Sequence, residues 1–127
     1  MKARILVIDD ESAIRDSMRM ILEYEGYDFL GAATGEEGIT LAERESVDLV
    51  FLDIKMPGMD GLEVLGKLKA QGDQLPVVMI SGHGTVATAV EATKLGAFDF
   101  IEKPLATERI LLAIRNALGF SRLRDEN

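Results

Sequence analysis

The chain predicts an α/β fold with a doubly wound parallel sheet and helices on both faces, on three observations. Strand-like and helix-like patterns alternate five times along 127 residues, the signature of repeated βα units. The runs Arg4–Asp10 (R-I-L-V-I-D-D) and Asp48–Asp53 (D-L-V-F-L-D) are continuously apolar before their acidic ends, as strands buried on both faces are. Both runs finish in carboxylates, so three acids gather at the carboxyl edge of the sheet, where open α/β folds bind their ligands.

After the first strand, Ile14, Met18, Ile21 and Leu22 form one stripe of a helix expected from about Ser12 to Tyr24, with Gly26 placed to end it. A short second strand, Asp28 to Ala33, leads into Thr34-Gly35-Glu36-Glu37, a capping-box pattern that opens the second helix. The third strand covers Asp48 to Ile54. Pro57 and Gly58 mark the next segment as a loop, and Asp60 caps a helix carrying Leu62, Leu65 and Leu68. Pro76 introduces the fourth strand, Val77 to Ser81, and Gly82-His83-Gly84 makes a flexible loop at its end. The fourth helix runs from about Thr85 to Leu95 and stops at Gly96. A fifth strand covers Phe98 to Ile101, and Thr107 is the expected cap of a last helix with Ile110, Leu111, Ile114 and Leu118 at helical spacing. Ser121 to Asn127 carries neither a packing stripe nor a clean stop, so residues 1–119 read as one domain and 120–127 as the start of a linker or a disordered tail.

Composition narrows the function. With 22 acids against 14 bases the net charge is -8, which argues against nucleic-acid binding by this segment. The absence of cysteine excludes disulfides, zinc–thiolate sites and thiol catalysis. No apolar run reaches membrane-span length and the start resembles no signal peptide, so no membrane contact and a cytoplasmic location are expected. The methionines Met18, Met20, Met56, Met59 and Met79 read as core or loop packing.

Each strand end adds a group to the same edge: Asp9 and Asp10, then Asp53, then Ser81, then Lys103 just past the fifth strand. Crowded carboxylates repel one another unless a hard cation sits among them, and oxygen donors of this kind suit Mg²⁺. Asp10 and Asp53 could ligate the ion directly, Asp9 through a bound water, and a backbone carbonyl after Asp53 could add a further oxygen. Asp53 is the candidate nucleophile toward phosphorus, Lys103 would counter the charge on phosphoryl oxygens, and the Ser81 hydroxyl would hydrogen-bond to one of them. Pro104 admits a cis peptide that would fix the direction of Lys103. His83 lies within reach of such a phosphoryl group, although a lone loop histidine is ordinarily just solvated.

With Asp9-Asp10, the D-I-K-M-P-G-M-D-G run from Asp53 to Gly61, Ser81-Gly82 and F-I-E-K-P from Phe100 to Pro104, the chain resembles the receiver domain of two-component response regulators over about residues 4 to 119. The resemblance implies a flavodoxin-like (βα)₅ sandwich with strand order 2-1-3-4-5. It implies phosphorylation of Asp53 from a histidine kinase's phosphohistidine and dependence on Mg²⁺, with the backbone carbonyl of Lys55 as a metal ligand. Phe100 would be the aromatic switch residue, and Ser81 the hydroxyl that moves with it. The stretch from Ser81 to Leu105 and the tail R-L-R-D-E-N are similar to the NtrC/NtrX type of transcriptional activator. That type implies a homodimer through helix four, strand five and helix five, and downstream ATPase and DNA-binding domains. A regulatory phosphoacceptor rather than an enzyme is therefore expected, the alternatives being a stand-alone phosphorelay shuttle or a Mg²⁺-dependent aspartyl phosphatase. Such phosphatases carry a general-acid aspartate two residues after the nucleophile, where this chain has Lys55. A flavin mononucleotide carrier on the same fold would need a phosphate loop that Asp9-Asp10-Glu11 would repel.

Overall fold

The structure is a computed structural model that describes residues 2–72, 74–82 and 84–126, with side chains described through Gly119. Its elements run β1 (Arg4–Ile8), α1 (Ser12–Tyr24), β2 (Asp28–Ala32), α2 (Gly35–Arg44), β3 (Leu49–Asp53), α3 (Gly61–Gln71), β4 (Val77–Ser81), α4 (Val86–Lys94), β5 (Asp99–Glu102) and α5 (Thr107–Glu126). All pairings are parallel, and the five strands lie in the order β2-β1-β3-β4-β5, as expected.

The period of two along each strand divides the core into two halves. Ile5, Val7, Leu49, Phe51, Val78 and Ile80 face α1 and α5, where Met18, Leu22, Ile110, Ala113, Ile114 and Ala117 meet them. Leu6, Ile8, Val50, Leu52, Val77 and Met79 face the other way, onto Val64, Leu65 and Leu68 of α3 and Ala92 of α4. Burying each of these large side chains contributes about 1.5–3 kcal/mol. α2 approaches closely because Gly38 has no side chain; a β-carbon there would run into the Ile8 side chain.

The local signals act much as their chemistry dictates. Gly26 and Gly96 follow α1 and α4 with φ of 88° and 103°, conformations that favour glycine. The Thr34 hydroxyl accepts from Glu37 N–H at 3.1 Å, and Glu37 accepts from Ala33 N–H at 2.8 Å, one residue before the usual capping-box partner. Asp60 caps α3 through Leu62 N–H at 3.1 Å.

Several expectations need correction. β5 is shifted one residue, to Asp99–Glu102, and β1, β2 and β3 are each shorter at their ends than read. Thr107 does not cap α5: the Ile110 N–H bonds to Ala106 O at 3.0 Å, so Ala106 occupies the cap position. Met20 packs into no core, being 73% exposed. Beyond residue 119 the helical backbone of α5 continues to Glu126. No helix among the described residues is long and apolar enough to cross a membrane.

Candidate functional site

The site lies where strand order reverses beside β1 and β3. Ile8 pairs with Leu52, so Asp9, one residue on, emerges beside Asp53 at the end of β3. Asp9 is tied to the neighbouring strand by its N–H to Ala32 O at 3.0 Å. On the other side of β3, Asp53 pairs with Ile80 and Ser81 with Glu102, and Lys103 N–H donates to Ser81 O at 2.7 Å. The parallel ladder thereby brings all five expected groups, Asp9, Asp10, Asp53, Ser81 and Lys103, to one edge.

Asp9, Asp53 and Ser81 are the buried polar residues of the described core, whereas Asp10 is exposed. The Lys103 side chain is 14% exposed, and its ammonium lies 3.1 Å from Asp9 Oδ2 and 3.5 Å from Asp53 Oδ2. The Lys103–Pro104 peptide is cis. Asp9 Oδ1 accepts from Glu11 N–H at 2.9 Å, and Asp53 Oδ1 accepts from Lys55 N–H at 3.3 Å. Burial and the negative charge of Asp9 push the Asp53 carboxyl up from 3.8 to about 6, against the opposing pull of Lys103 and the Lys55 N–H. For Lys103, burial favours the neutral amine, but the hydrogen bond and charge of Asp9, with the charges of Asp53 and Glu11, prevail and hold the ammonium above its ordinary value.

The residues fit a small hard cation. Asp9, Asp10 and Asp53 each offer a carboxylate oxygen, and these oxygens lie within 4.8 Å of one another. Buried Asp9 Oδ2 has the Lys103 ammonium at 3.1 Å as its partner among the described residues, off the line of a good hydrogen bond, which leaves it lone-pair capacity for a metal-bound water.

Phe100 is half-buried, packed against the α3–α4 side of the core. Its ring reaches the loop after β4: a β-carbon on Gly84 would lie 2.7 Å from Phe100 Cζ and 3.3 Å from Ser81 Oγ. The switch candidate and the serine hydroxyl therefore border the same small space. His83 lies outside the described residues.

Two participants escaped the sequence reading. Glu11 Oε1 lies 3.4 Å from the Lys103 ammonium, and Arg15 Nη1 donates to Asp9 O at 2.6 Å. The acid directly after Asp9-Asp10 was a visible signal for the first. A side-chain bond to a backbone carbonyl leaves none.

The response regulator receiver domain family model matches residues 5–115. NtrX from Azorhizobium caulinodans is 44% identical over 124 residues, 96% of this chain and 27% of that protein. A CheY-like receiver domain from Methanospirillum hungatei matches with a TM-score of 0.94 at 35% identity, covering 98% of this chain and 99% of that one. The receiver domain of NtrX from Brucella abortus matches at 0.86 and 45% identity, covering 91% and 98%. The chain spans about a quarter, 26% to 27%, of the length of the NtrX and NtrX-like relatives that it matches. The five-stranded sheet, the acid cluster at its switch point and a family match reaching from β1 into α5 lead to one assignment: this chain belongs to the response regulator receiver domains of two-component systems.

Proposed function

We propose that the chain is a phosphorylation-controlled switch that accepts a phosphoryl group on Asp53 from a histidine kinase. The observation that carries this reading is the buried Asp53 carboxylate lying between an acid cluster and the Lys103 ammonium at 3.5 Å. Asp10 and Asp53 would hold Mg²⁺ directly, with the Lys55 carbonyl and, through water, Asp9; the ion would offset charge on phosphoryl oxygens. An Asp53 Oδ attacks phosphorus as the phosphorus–nitrogen bond of the phosphohistidine breaks, and the departing imidazole keeps the bonding pair and is protonated from solvent. Lys103, already among carboxylates, turns its charge to the new phosphoryl oxygens, and the Ser81 hydroxyl donates to one of them. As Ser81 moves, the space it shares with Phe100 and Gly84 changes shape, which couples the chemistry to α4 and β5. The energy available is the difference in phosphoryl contacts between two states, so the response is a population shift of a few kcal/mol.

The outer surface of α4 exposes Val86 at 82% and Val90 at 46%, apolar groups suited to self-association of this face. The receiver domain would span residues 1–119, with 120–127 beginning a helical linker. In a cytoplasmic parent like NtrX it would govern an ATPase and DNA-binding output, with no nucleic-acid contact of its own.

Incubation with a small phosphodonor and Mg²⁺ should add one phosphoryl group by mass spectrometry. Labelling that persists in Asp53→Ala, or that proceeds equally in chelator, would remove Asp53 from the role. Phosphorylation should also promote dimers, measured by sedimentation, and Val90→Asp should suppress them; an unchanged monomer in both cases would exclude this face.

A further inference from the structure

Arg15, on the first turns of α1, lies outside the acid–lysine–serine set, yet its guanidinium rests on the backbone of that set. Nη1 donates to Asp9 O at 2.6 Å, a short charge-assisted bond. That oxygen belongs to the peptide joining Asp9 to Asp10, the amide from which Asp10 is hung. The two acids are held very differently. The Asp9 carboxylate is fixed by Glu11 N–H at 2.9 Å and by Lys103 at 3.1 Å. The exposed Asp10 carboxylate has no hydrogen bond or ion pair among the described residues, so the placement of its backbone sets which positions its rotamers can reach.

The sequence makes room for this arginine. Gly31 of β2 leaves open a place where a β-carbon would lie 2.9 Å from Phe29 Cζ and 3.6 Å from Arg15 Cδ. The Phe29 ring and the arginine stem close over the bare glycine, and the Arg19 guanidinium sits 5.7 Å from the centroid of the same ring. Arg15 is thus half-buried against β2 with its charged end directed to Asp9 rather than to solvent.

We propose that Arg15 is a positioning residue of the metal site, holding the Asp9–Asp10 peptide so that the Asp10 carboxylate is aimed at the cation. The inference rests on the Mg²⁺ reading given above. Charge alone predicts the opposite effect, because a guanidinium beside a cation site repels the cation and its removal would tighten binding. The direction of the change therefore separates positioning from electrostatics.

The test is Mg²⁺ titration of the wild-type protein, Arg15→Met, Arg15→Lys, Asp10→Ala and the Arg15→Met/Asp10→Ala double variant, with amide and carbonyl shifts recorded before metal is added. Arg15→Met should weaken Mg²⁺ binding roughly tenfold, Arg15→Lys less, and Arg15→Met should add nothing once Asp10 is gone. In the metal-free protein the Asp9 carbonyl carbon and Asp10 amide nitrogen should shift in Arg15→Met. Equal or tighter Mg²⁺ binding by Arg15→Met, or an equal loss in the Asp10→Ala background, would overturn the proposal. Unmoved metal-free shifts would overturn it and leave the Mg²⁺ reading standing. Wild-type protein that takes up no Mg²⁺, or that binds it equally after Asp10→Ala, would overturn both.

Discussion

Asp53 is a group whose folded surroundings oppose its charge while its proposed chemistry requires it. Its folded value of about 6 lies above the ordinary 3.8, so between these values the folded chain keeps a proton that the unfolded chain has released. Stability of the metal-free protein should therefore fall as the pH rises from about 4 to about 6, and the loss should persist above that window. Asp53→Asn cannot ionise, and at pH 7 it should be more stable than wild type by on the order of 1–2 kcal/mol, allowing for solvent screening at the mouth of the site. Urea unfolding in chelator at pH 4 and pH 7 checks this, and an asparagine variant no more stable at pH 7 would contradict it. At this scale the sequence was most legible where chemistry sits on strand ends, because a periodic strand fixes where its last residue emerges. Glu11 and Arg15 were not legible as partners of Lys103 and Asp9, since their contacts depend on how α1 rotates onto the sheet.

Among the elements, α3 begins directly against the backbone of the site. Its first residue, Gly61, donates its N–H to Ile54 O at 3.0 Å, and a β-carbon at this position would run into the backbone of Asp53 and Ile54. Backbone cannot swing aside as a side-chain end can, so Gly61→Ala must displace either the helix start or the end of β3. The variant should lose about 1–3 kcal/mol of stability and should also slow phosphoryl labelling of Asp53. Gly66→Ala, on the same helix with nothing within 4 Å, should instead stabilise by about 0.5–1 kcal/mol and leave labelling unchanged. Labelling that is normal in folded Gly61→Ala would show that α3 does not set the position of the acid. Element order and type were legible from periodicity and punctuation, and the boundaries of α1 and β4 were read correctly. Boundaries failed at β5, where the polar Glu102 belongs to the ladder and the apolar Phe98 does not, and where Thr107 offered a hydroxyl at the start of α5 but the cap position fell to Ala106.

For the whole molecule, alternating apolar and helical patterns made a parallel sheet legible, but the strand order was available only through the family resemblance. Unbroken apolar strands do not say which neighbour each one takes. Once the order is fixed, right-handed crossovers send α1 and α5 to one face and α2, α3 and α4 to the other, and the period of two supplies each face with apolar strand side chains. The same topology divides the acid cluster between two strands: Asp9 and Asp10 follow β1, whereas Asp53 ends β3. Ile5 pairs with Leu49, a longer excursion along the chain than separates the partners in the other three pairings. Closing that loop has the largest entropic cost of the four pairings. If the β1–β3 joint is accordingly consolidated late, the cluster does not yet exist at the folding barrier, and a divalent cation has nothing to grip until the barrier is crossed. Mg²⁺ should then act as a lock rather than as a template: in stopped-flow unfolding and refolding it should slow unfolding and leave the refolding rate nearly unchanged. Acceleration of refolding by Mg²⁺ with unfolding unaffected would instead mean that β1 and β3 are already joined at the barrier, and that the acids meet early in the life of the chain.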